Sequence, residues 1–175
     1  ACETMGAVSV ICTDKTGTLT QNQMRVTEAF FSEEYLANGF VSESLSLNSS
    51  ANLDLSDAEK PKVIGNPTEG ALLLWLKERG IDYLKFREQT EVIEKLPFTT
   101  ENKYMATVIS SKALGKKVLL VKGAPEIILQ MCKSFDECFS AEVVKETLAG
   151  FQKKAMRTLG FAYKFIESEG SVIED

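Results

Sequence analysis

Three β-rich runs follow one another closely in the middle of the chain, and they constrain its fold more than any other feature. They span residues 91–96, 104–110 and 116–121, and Gly115 lies where a hairpin turn between the second and third runs is expected. Helical patterns stand before and after these runs, and no segment repeats. This order predicts an α+β domain in which helices flank a twisted antiparallel sheet.

The clearest helix is marked at both ends. Asn66 is a good N-cap residue, Pro67 suits the first helical position, and Gly80 closes the pattern. Between them lies an apolar stripe made of Leu72, Leu73, Trp75 and Leu76. Further helices are predicted at residues 82–89, 125–132 and 141–156, and a last strand at residues 160–166.

The first sixty residues are less regular. Residues 7–13 are apolar and β-rich, and they predict a strand buried on both faces that ends at Asp14. A polar loop is predicted at residues 15–23 and a second strand at residues 24–31. Residues 32–60 are rich in Ser, Asn, Asp and Glu with scattered leucines. They predict a solvated insertion or an acidic docking loop.

Composition argues against several classes of function. The net charge of -5 argues against nucleic-acid binding, although one nucleotide needs only a few well-placed cations. The chain has no histidine, and its four cysteines form no CxxC pair, which removes most zinc sites and Ser-His or Cys-His catalysis. No apolar run approaches the roughly 20 residues of a membrane span. We expect no signal peptide, and the unpaired-looking thiols suit a reducing cytosol.

Residues 14–20 read DKTGTLT and carry the strongest chemical signal. Asp14 would stand at the end of a buried strand beside Lys15 and several hydroxyls, with Gly17 permitting a tight turn. Such a carboxylate can attack a phosphoryl group when cations and N–H donors stabilise the transferred charge. On spacing alone, a turn in which Asp14 bonds its own backbone fits equally well.

The complete string resembles the phosphorylation motif of P-type ATPases, and ICTDKTGTLTQNQM at residues 11–24 is similar to type II cation pumps in particular. This resemblance implies that Asp14 accepts the γ-phosphate of ATP as an acyl-phosphate. It places Lys15 near the phosphate and Thr18 in hydrogen bonds to the phosphate oxygens. It also implies that Asp14 and the carbonyl of Thr16 help to hold Mg²⁺ in the intact pump.

Two further strings resemble the nucleotide-binding domain of the same family. The NPTE string ends at Glu69, which by resemblance reaches the adenine amino group and which would also complete a capping box. In the PFTTENKYM string, Phe98 would stack on adenine, Lys103 would reach towards the nucleotide and Met105 would supply an apolar wall. Without the family resemblance, a lone Phe at a strand end is usually interpreted as a core residue. Thr100 stands where calcium pumps often carry an arginine, so the phosphate contact made there in some relatives is not expected.

Two later strings follow in the family's order. KGAPE resembles the type II signature in which Lys122 lies at the floor of the pocket, while Gly123 and Ala124 leave room for a flat ring. MRTLG matches the segment in which Arg157 contacts phosphate or ribose and Leu159 lies beside the base. Taken without the family, an arginine late in a helix is a common surface residue.

The resemblance covers nearly the whole chain and implies two unequal parts. Residues 1–22 would be a short phosphorylation-domain stub with the acceptor aspartate, and residues 23–175 the nucleotide-binding domain. The GDG and ND strings, the actuator's TGE loop and the membrane helices do not occur in the sequence. We therefore expect a cytoplasmic piece of an integral membrane protein that binds ATP without transporting an ion. Its implied partners are ATP, Mg²⁺ and the remaining phosphorylation, actuator and membrane domains of the pump.

Two other functions remain open at this point. A phosphatase of the haloacid-dehalogenase type shares the strand-end aspartate, but it would need a second Asp where Thr16 stands. A protein-interaction domain with a vestigial pocket would use residues 32–60 for docking. The transported ion is also open, because residues 1–6 favour a calcium pump whereas residues 98–105 look equally like sodium/potassium pumps.

Overall fold

The computed structural model describes residues 10, 12–20, 23–57, 61–135 and 139–167. The elements, in chain order, are a π-helical turn (Lys15–Leu19), α1 (Glu33–Ala37), α2 (Phe40–Leu47), β1 (Asn52–Asp54), β2 (Lys62–Ile64), α3 (Pro67–Glu78), α4 (Tyr83–Gln89), β3 (Val92–Leu96), β4 (Tyr104–Ser111), β5 (Lys116–Gly123), α5 (Pro125–Met131), α6 (Ala141–Lys153) and β6 (Gly160–Phe165). The predicted α+β class is confirmed.

Four strands form one antiparallel sheet in the order β3-β4-β5-β6. The register sets Met105 opposite Lys122 across β4 and β5, and Lys122 opposite Phe161 across β5 and β6. The three central strands and the last strand all lie where the sequence predicts them. Strands β1 and β2 form a separate antiparallel hairpin.

Helices cover both faces of the sheet, because successive strand side chains point to opposite faces and both sets are apolar. On one face, α2 packs against β4 and β5 through the buried side chains of Phe40, Leu47, Ile109, Val118 and Leu120. On the other face, Ile128 of α5 packs against Ala106 and Val121. The sheet is therefore held rigidly from both sides.

Helix α3 begins as the sequence predicts. The Asn66 side chain accepts hydrogen bonds from Thr68 N at 2.9 Å and Glu69 N at 3.4 Å, and the predicted apolar stripe is buried. A Cβ atom at Gly70 would lie 2.1 Å from the Val63 side chain of β2. Helix α3 and the β1–β2 hairpin thus approach so closely that only glycine fits at this position.

The solvated insertion or docking loop expected at residues 32–60 is wrong, because much of this region is core. Helix α2 is almost entirely buried, and Glu43 within it is only 1% exposed. The Glu43 carboxylate accepts hydrogen bonds from Thr90 Oγ1 and Lys112 N, each at 2.9 Å, and from Ser111 Oγ. Several polar residues of this region, Glu43 among them, are therefore buried in internal hydrogen bonds rather than solvated.

The strand predicted at residues 24–31 is also wrong. This segment lies outside any strand, and its apolar side chains Val26 and Phe31 pack against the core around α3 instead. Most of the strand predicted at residues 7–13 lies outside the described residues. Val10, Cys12 and Thr13 are described and are not in a strand, and Val10 is 72% exposed, so that part of the prediction is wrong. No described strand pairs with these three residues, and a strand is stable only where a neighbour satisfies its backbone groups.

The predicted loop after Asp14 contains the π-helical turn, closed by a hydrogen bond of 3.1 Å from Thr20 N to Lys15 O. None of the helices in the described part of the chain has the length and apolar character needed to cross a membrane.

Candidate functional site

One end of the four-stranded sheet gathers most of the predicted nucleotide residues. Because the strands are antiparallel, the end of β3, the start of β4, the end of β5 and the start of β6 lie side by side. The predicted residues on or next to these strand ends are Phe98, Lys103, Met105, Lys122, Gly123, Ala124, Arg157 and Leu159. Sequence strings that are far apart in the chain therefore meet at one end of the sheet.

A buried ion pair joins helix α3 to this end of the sheet. Lys122 Nζ lies 2.8 Å from Glu69 Oε1, and the two residues are 5% and 7% exposed. Lys122 Nζ also donates a hydrogen bond of 2.5 Å to the carbonyl oxygen of Asn48. Because each charge is taken out of water, removing either partner would leave the other uncompensated.

The second carboxylate oxygen of Glu69 faces the segment that follows α2. Oε2 accepts hydrogen bonds from Ser50 N at 2.6 Å, Ser50 Oγ at 2.7 Å, Ala51 N at 3.2 Å and Ser49 Oγ at 3.3 Å. The capping box predicted for Glu69 is therefore only half formed. Asn66 accepts from Glu69 N, but the Glu69 carboxylate turns towards these donors instead of reaching back to the Asn66 N–H.

The charges of the pair are set by their surroundings. Burial raises the pKa of Glu69, but the attraction and hydrogen bond of Lys122 and the hydrogen bonds of Ser50 outweigh it and lower that pKa from 4.5 to about 2. Burial lowers the pKa of Lys122, while the Glu69 carboxylate acts in the opposite direction. Glu69 is thus an ionised acceptor at neutral pH.

Two cations that the sequence patterns do not predict as site residues bind the segment at residues 46–52. Arg87 donates hydrogen bonds of 2.9 Å to the carbonyl oxygens of Ser46 and Ala51, and Lys95 Nζ donates one of 3.2 Å to that of Ser49. Burial lowers the pKa of both cations. The only signal in the sequence was the position of these basic residues within an apolar helix and strand pattern.

Phe98 is placed where a planar ligand can reach its ring. It follows β3 and is 54% exposed, so it is not the core residue that a lone Phe at a strand end usually is. Lys103 is exposed, and its carbonyl oxygen accepts a hydrogen bond of 3.0 Å from Ala124 N. Met105 is buried at 2% exposure and lies opposite Lys122 in the register.

The remaining predicted residues lie at the same end of the sheet. A Cβ atom at Gly123 would lie 2.4 Å from the Lys103 carbonyl oxygen, so this position requires glycine. Arg157 is exposed and donates a hydrogen bond of 3.1 Å from Nη1 to Thr68 Oγ1, next to Glu69. Leu159 is half-buried and packs against the core around α3.

The described side chains of the DKTGTLT string are exposed. Asp14, Lys15 and Thr18 are exposed, and Thr16 belongs to the π-helical turn. In the described ranges there is no group of three or more His, Cys, Asp or Glu residues that could hold a metal ion. Mg²⁺ requires a set of oxygen ligands in octahedral geometry. The described donors near Asp14 do not by themselves make a magnesium site.

A groove of about 320 Å³ lies beside α3, lined by residues that include Val26, Phe31, Trp75 and Arg79. None of the predicted nucleotide residues lines it. The Arg79 guanidinium lies 3.7 Å from the centroid of the Trp75 ring and already covers this aromatic surface. The end of the sheet, where charged groups and an exposed ring converge, is the better candidate for a ligand site.

Comparison with known proteins gives consistent matches over most of the chain. A family model described as "P-type ATPase, cytoplasmic domain N" matches residues 38–174. Calcium-transporting ATPase 1 of Lactococcus lactis is 35% identical over 177 residues, covering 94% of this chain and 20% of the relative. Calcium-transporting ATPase PAT1 of Dictyostelium discoideum is 35% identical over 184 residues, covering 94% of this chain and 16% of the relative. A plasma membrane-type relative, Calcium-transporting ATPase 5 of Oryza sativa, is 31% identical over 198 residues, covering 100% of this chain and 18% of the relative. The chain thus spans a fifth or less of the length of these relatives.

Proposed function

The chain belongs to the family of P-type ATPase cytoplasmic N domains, and from this membership we propose that it binds ATP where Glu69 and Lys122 meet at the end of the sheet. The resemblance to calcium-pump-like P-type ATPases is confirmed by the family match and by the relatives' names. One observation carries the proposal. The buried Glu69–Lys122 pair lies at the same end of the sheet as the exposed ring of Phe98.

Each part of an adenine nucleotide has a chemically matching group at this end of the sheet. The Phe98 ring offers a π-face to the base, and Glu69 is an ionised acceptor for the adenine amino group. Among the described residues, Lys122 uses two of its three donors, on Glu69 and Asn48, and the third is directed to the base or ribose in this proposal. Arg157 and Lys103 are exposed cations at the rim, suited to the phosphates. Met105, Gly123, Ala124 and Leu159 shape the surface without adding charge.

We propose further roles for the longer protein of which this chain matches a part. Residues 23–175 would present ATP so that its γ-phosphate passes to Asp14 in residues 1–22. Asp14 and Thr16 would hold Mg²⁺ together with other parts of the intact pump. By analogy with the relatives' names, the longer protein would be an integral membrane calcium pump, with this chain on the cytoplasmic side. The phosphatase and the protein-interaction domain are not favoured, because the family match is to an N domain and residues 32–60 are not a docking loop.

Titration of the ¹⁵N-labelled chain with ATP tests the proposed site. We expect Phe98, Lys122 and their neighbours to shift, with a Kd on the order of 0.1–1 mM, or about -4 to -5.5 kcal/mol. Phe98→Ala should weaken binding by about fivefold or more, because one stacked ring contributes roughly 1–3 kcal/mol.

Phe165→Ala is the matched control, since Phe165 is 40% exposed and pairs with Val118 at the other end of the sheet. Its affinity for ATP should equal that of the wild type. If no resonance near Phe98 or Lys122 moves, or if both variants lose affinity equally, the assignment of the pocket is wrong.

A further inference from the structure

The two oxygens of the Glu69 carboxylate have very different hydrogen-bonding environments. Oε2 receives four donors from residues 49–51, whereas the described part of the chain gives Oε1 a single donor, the Lys122 ammonium. A carboxylate oxygen has about two lone-pair positions. Oε2 is therefore saturated, and Oε1 is the oxygen with room for one more donor.

We propose that Ser50 is a positioning residue that makes the pocket select 6-aminopurine nucleotides over 6-oxopurine nucleotides. This inference rests on the proposed nucleotide site and deepens it. Ser50 makes the two shortest hydrogen bonds to Oε2, one from its backbone N–H and one from its hydroxyl. These bonds fix the rotation of the carboxylate, so that Oε1 remains turned towards Lys122 and the incoming base.

The segment that carries Ser50 is itself held firmly. Three side-chain cations donate hydrogen bonds to the backbone carbonyl oxygens next to it. The donor and acceptor pairs are Arg87 to Ala51, Lys95 to Ser49 and Lys122 to Asn48. The Ser49 carbonyl and the Ser50 N–H belong to one planar peptide unit, so the hydrogen bond from Lys95 helps to keep the Ser50 N–H directed at Glu69. A pre-oriented acceptor of this kind needs no rearrangement when a ligand donates to it.

The chemistry of the base explains the selection. Adenine carries an amino group at position 6, which donates a hydrogen bond to an ionised carboxylate. A 6-oxopurine carries a carbonyl oxygen there, which is an acceptor and is repelled by Oε1. A site built to bind an N–H discriminates strongly against an analogue without it, because the buried acceptor is left unpaired.

ATP and ITP test the inference directly, since their bases differ at position 6 and in the proton on N1. With the 175-residue chain, we expect ITP to bind about tenfold or more weakly than ATP, because a hydrogen bond to a charged group contributes at least about 1.4 kcal/mol. Ser50→Ala removes the hydroxyl donor and keeps the Ser50 N–H, so it should reduce this ratio by about threefold, the effect of losing one hydrogen bond. The change should come mainly from weaker ATP binding, with ITP affinity within about twofold of the wild type.

Two further variants separate positioning from a general structural effect. Ser50→Thr keeps the hydroxyl and should keep the wild-type ATP/ITP ratio. Ser44→Ala removes a hydroxyl whose oxygen is buried and has no hydrogen-bond partner in the described structure, so neither the ratio nor the affinities should change. Thermal unfolding of each variant verifies that it is folded. Ser50→Ala should remain folded, because Ser50 is exposed and its truncation leaves no cavity.

Each outcome has a distinct meaning. A reduced ATP/ITP affinity ratio in Ser50→Ala, together with a wild-type ratio in Ser50→Thr, supports the inference. An unchanged ratio, or an equal loss of ATP and ITP affinity, overturns the positioning role while leaving the nucleotide site intact. Failure of the wild-type chain to bind either nucleotide would instead overturn the proposed function on which the inference rests.

Discussion

The buried Glu69–Lys122 pair makes the stability of the chain depend on pH in a way that can be measured. The folded-state pKa of Glu69 is about 2, below its ordinary value of 4.5. Because the folded pKa is the lower one, the stabilisation is fully present above about pH 4.5 and is lost as the pH falls towards 2. The shift corresponds to about 3 kcal/mol at pH 7 and to about 2 kcal/mol at pH 3.5.

Glu69→Gln isolates this contribution, because an amide cannot titrate and does not neutralise Lys122. At pH 7 we expect the variant to be less stable than the wild type by about 3 kcal/mol, which is a large part of the roughly 5–15 kcal/mol of a typical domain. The difference should shrink steadily as the pH falls below 4.5, when Glu69 itself becomes protonated. Urea unfolding at pH 7, 5, 4 and 3.5 measures it.

Glu78→Gln is the control for the general effect of acid. Glu78 forms an exposed ion pair of 2.9 Å with Arg25, with side chains 48% and 76% exposed. Such a pair contributes less than about 1 kcal/mol, so this variant should follow the wild type at every pH. If the stability of Glu69→Gln also runs parallel to that of the wild type from pH 7 to pH 3.5, the pair does not set the charge of Glu69.

Two other predictions concern the close packing of the edge and the chemistry of Asp14. Gly123→Ala should destabilise the chain by about 1–3 kcal/mol, because the added Cβ would meet the Lys103 carbonyl oxygen at 2.4 Å. Gly150→Ala in α6 should instead stabilise it by about 0.5–1 kcal/mol, because in the described structure the added Cβ would meet no atom beyond its own helix within 4 Å. Equal stability of the two variants in urea unfolding would contradict the close approach of β4 and β5. We also expect no acyl-phosphate on Asp14 when the chain is incubated with γ-labelled ATP and Mg²⁺, since the GDG and ND strings that would help to hold Mg²⁺ beside it do not occur in the sequence. A hydroxylamine-sensitive radiolabel on Asp14 would refute this expectation.

Helix caps, strand alternation and motif strings were readable from the sequence because each depends on residues close together in the chain. Asn66 caps α3 within its own first turn, and the β4–β5 pairing follows from two apolar runs joined at Gly115. Helix α2 was missed although Val41 and Leu45 lie four residues apart on one face. The serines, asparagines and glutamate around them suggested a solvated segment, and nothing local reveals that Glu43 finds buried partners more than 40 residues away.

The sequence by itself determined the family, the order of the main elements and the positions of Glu69, Phe98 and Lys122. Only the tertiary structure decided what these residues contact. Glu69 could be read from the sequence as half of a capping box, yet its carboxylate is bound by residues 49–51, which precede it by about twenty positions, and by Lys122 on β5. The reason is physical. A buried charge must find its compensating donors wherever the packed chain brings them, and a local pattern does not specify that place.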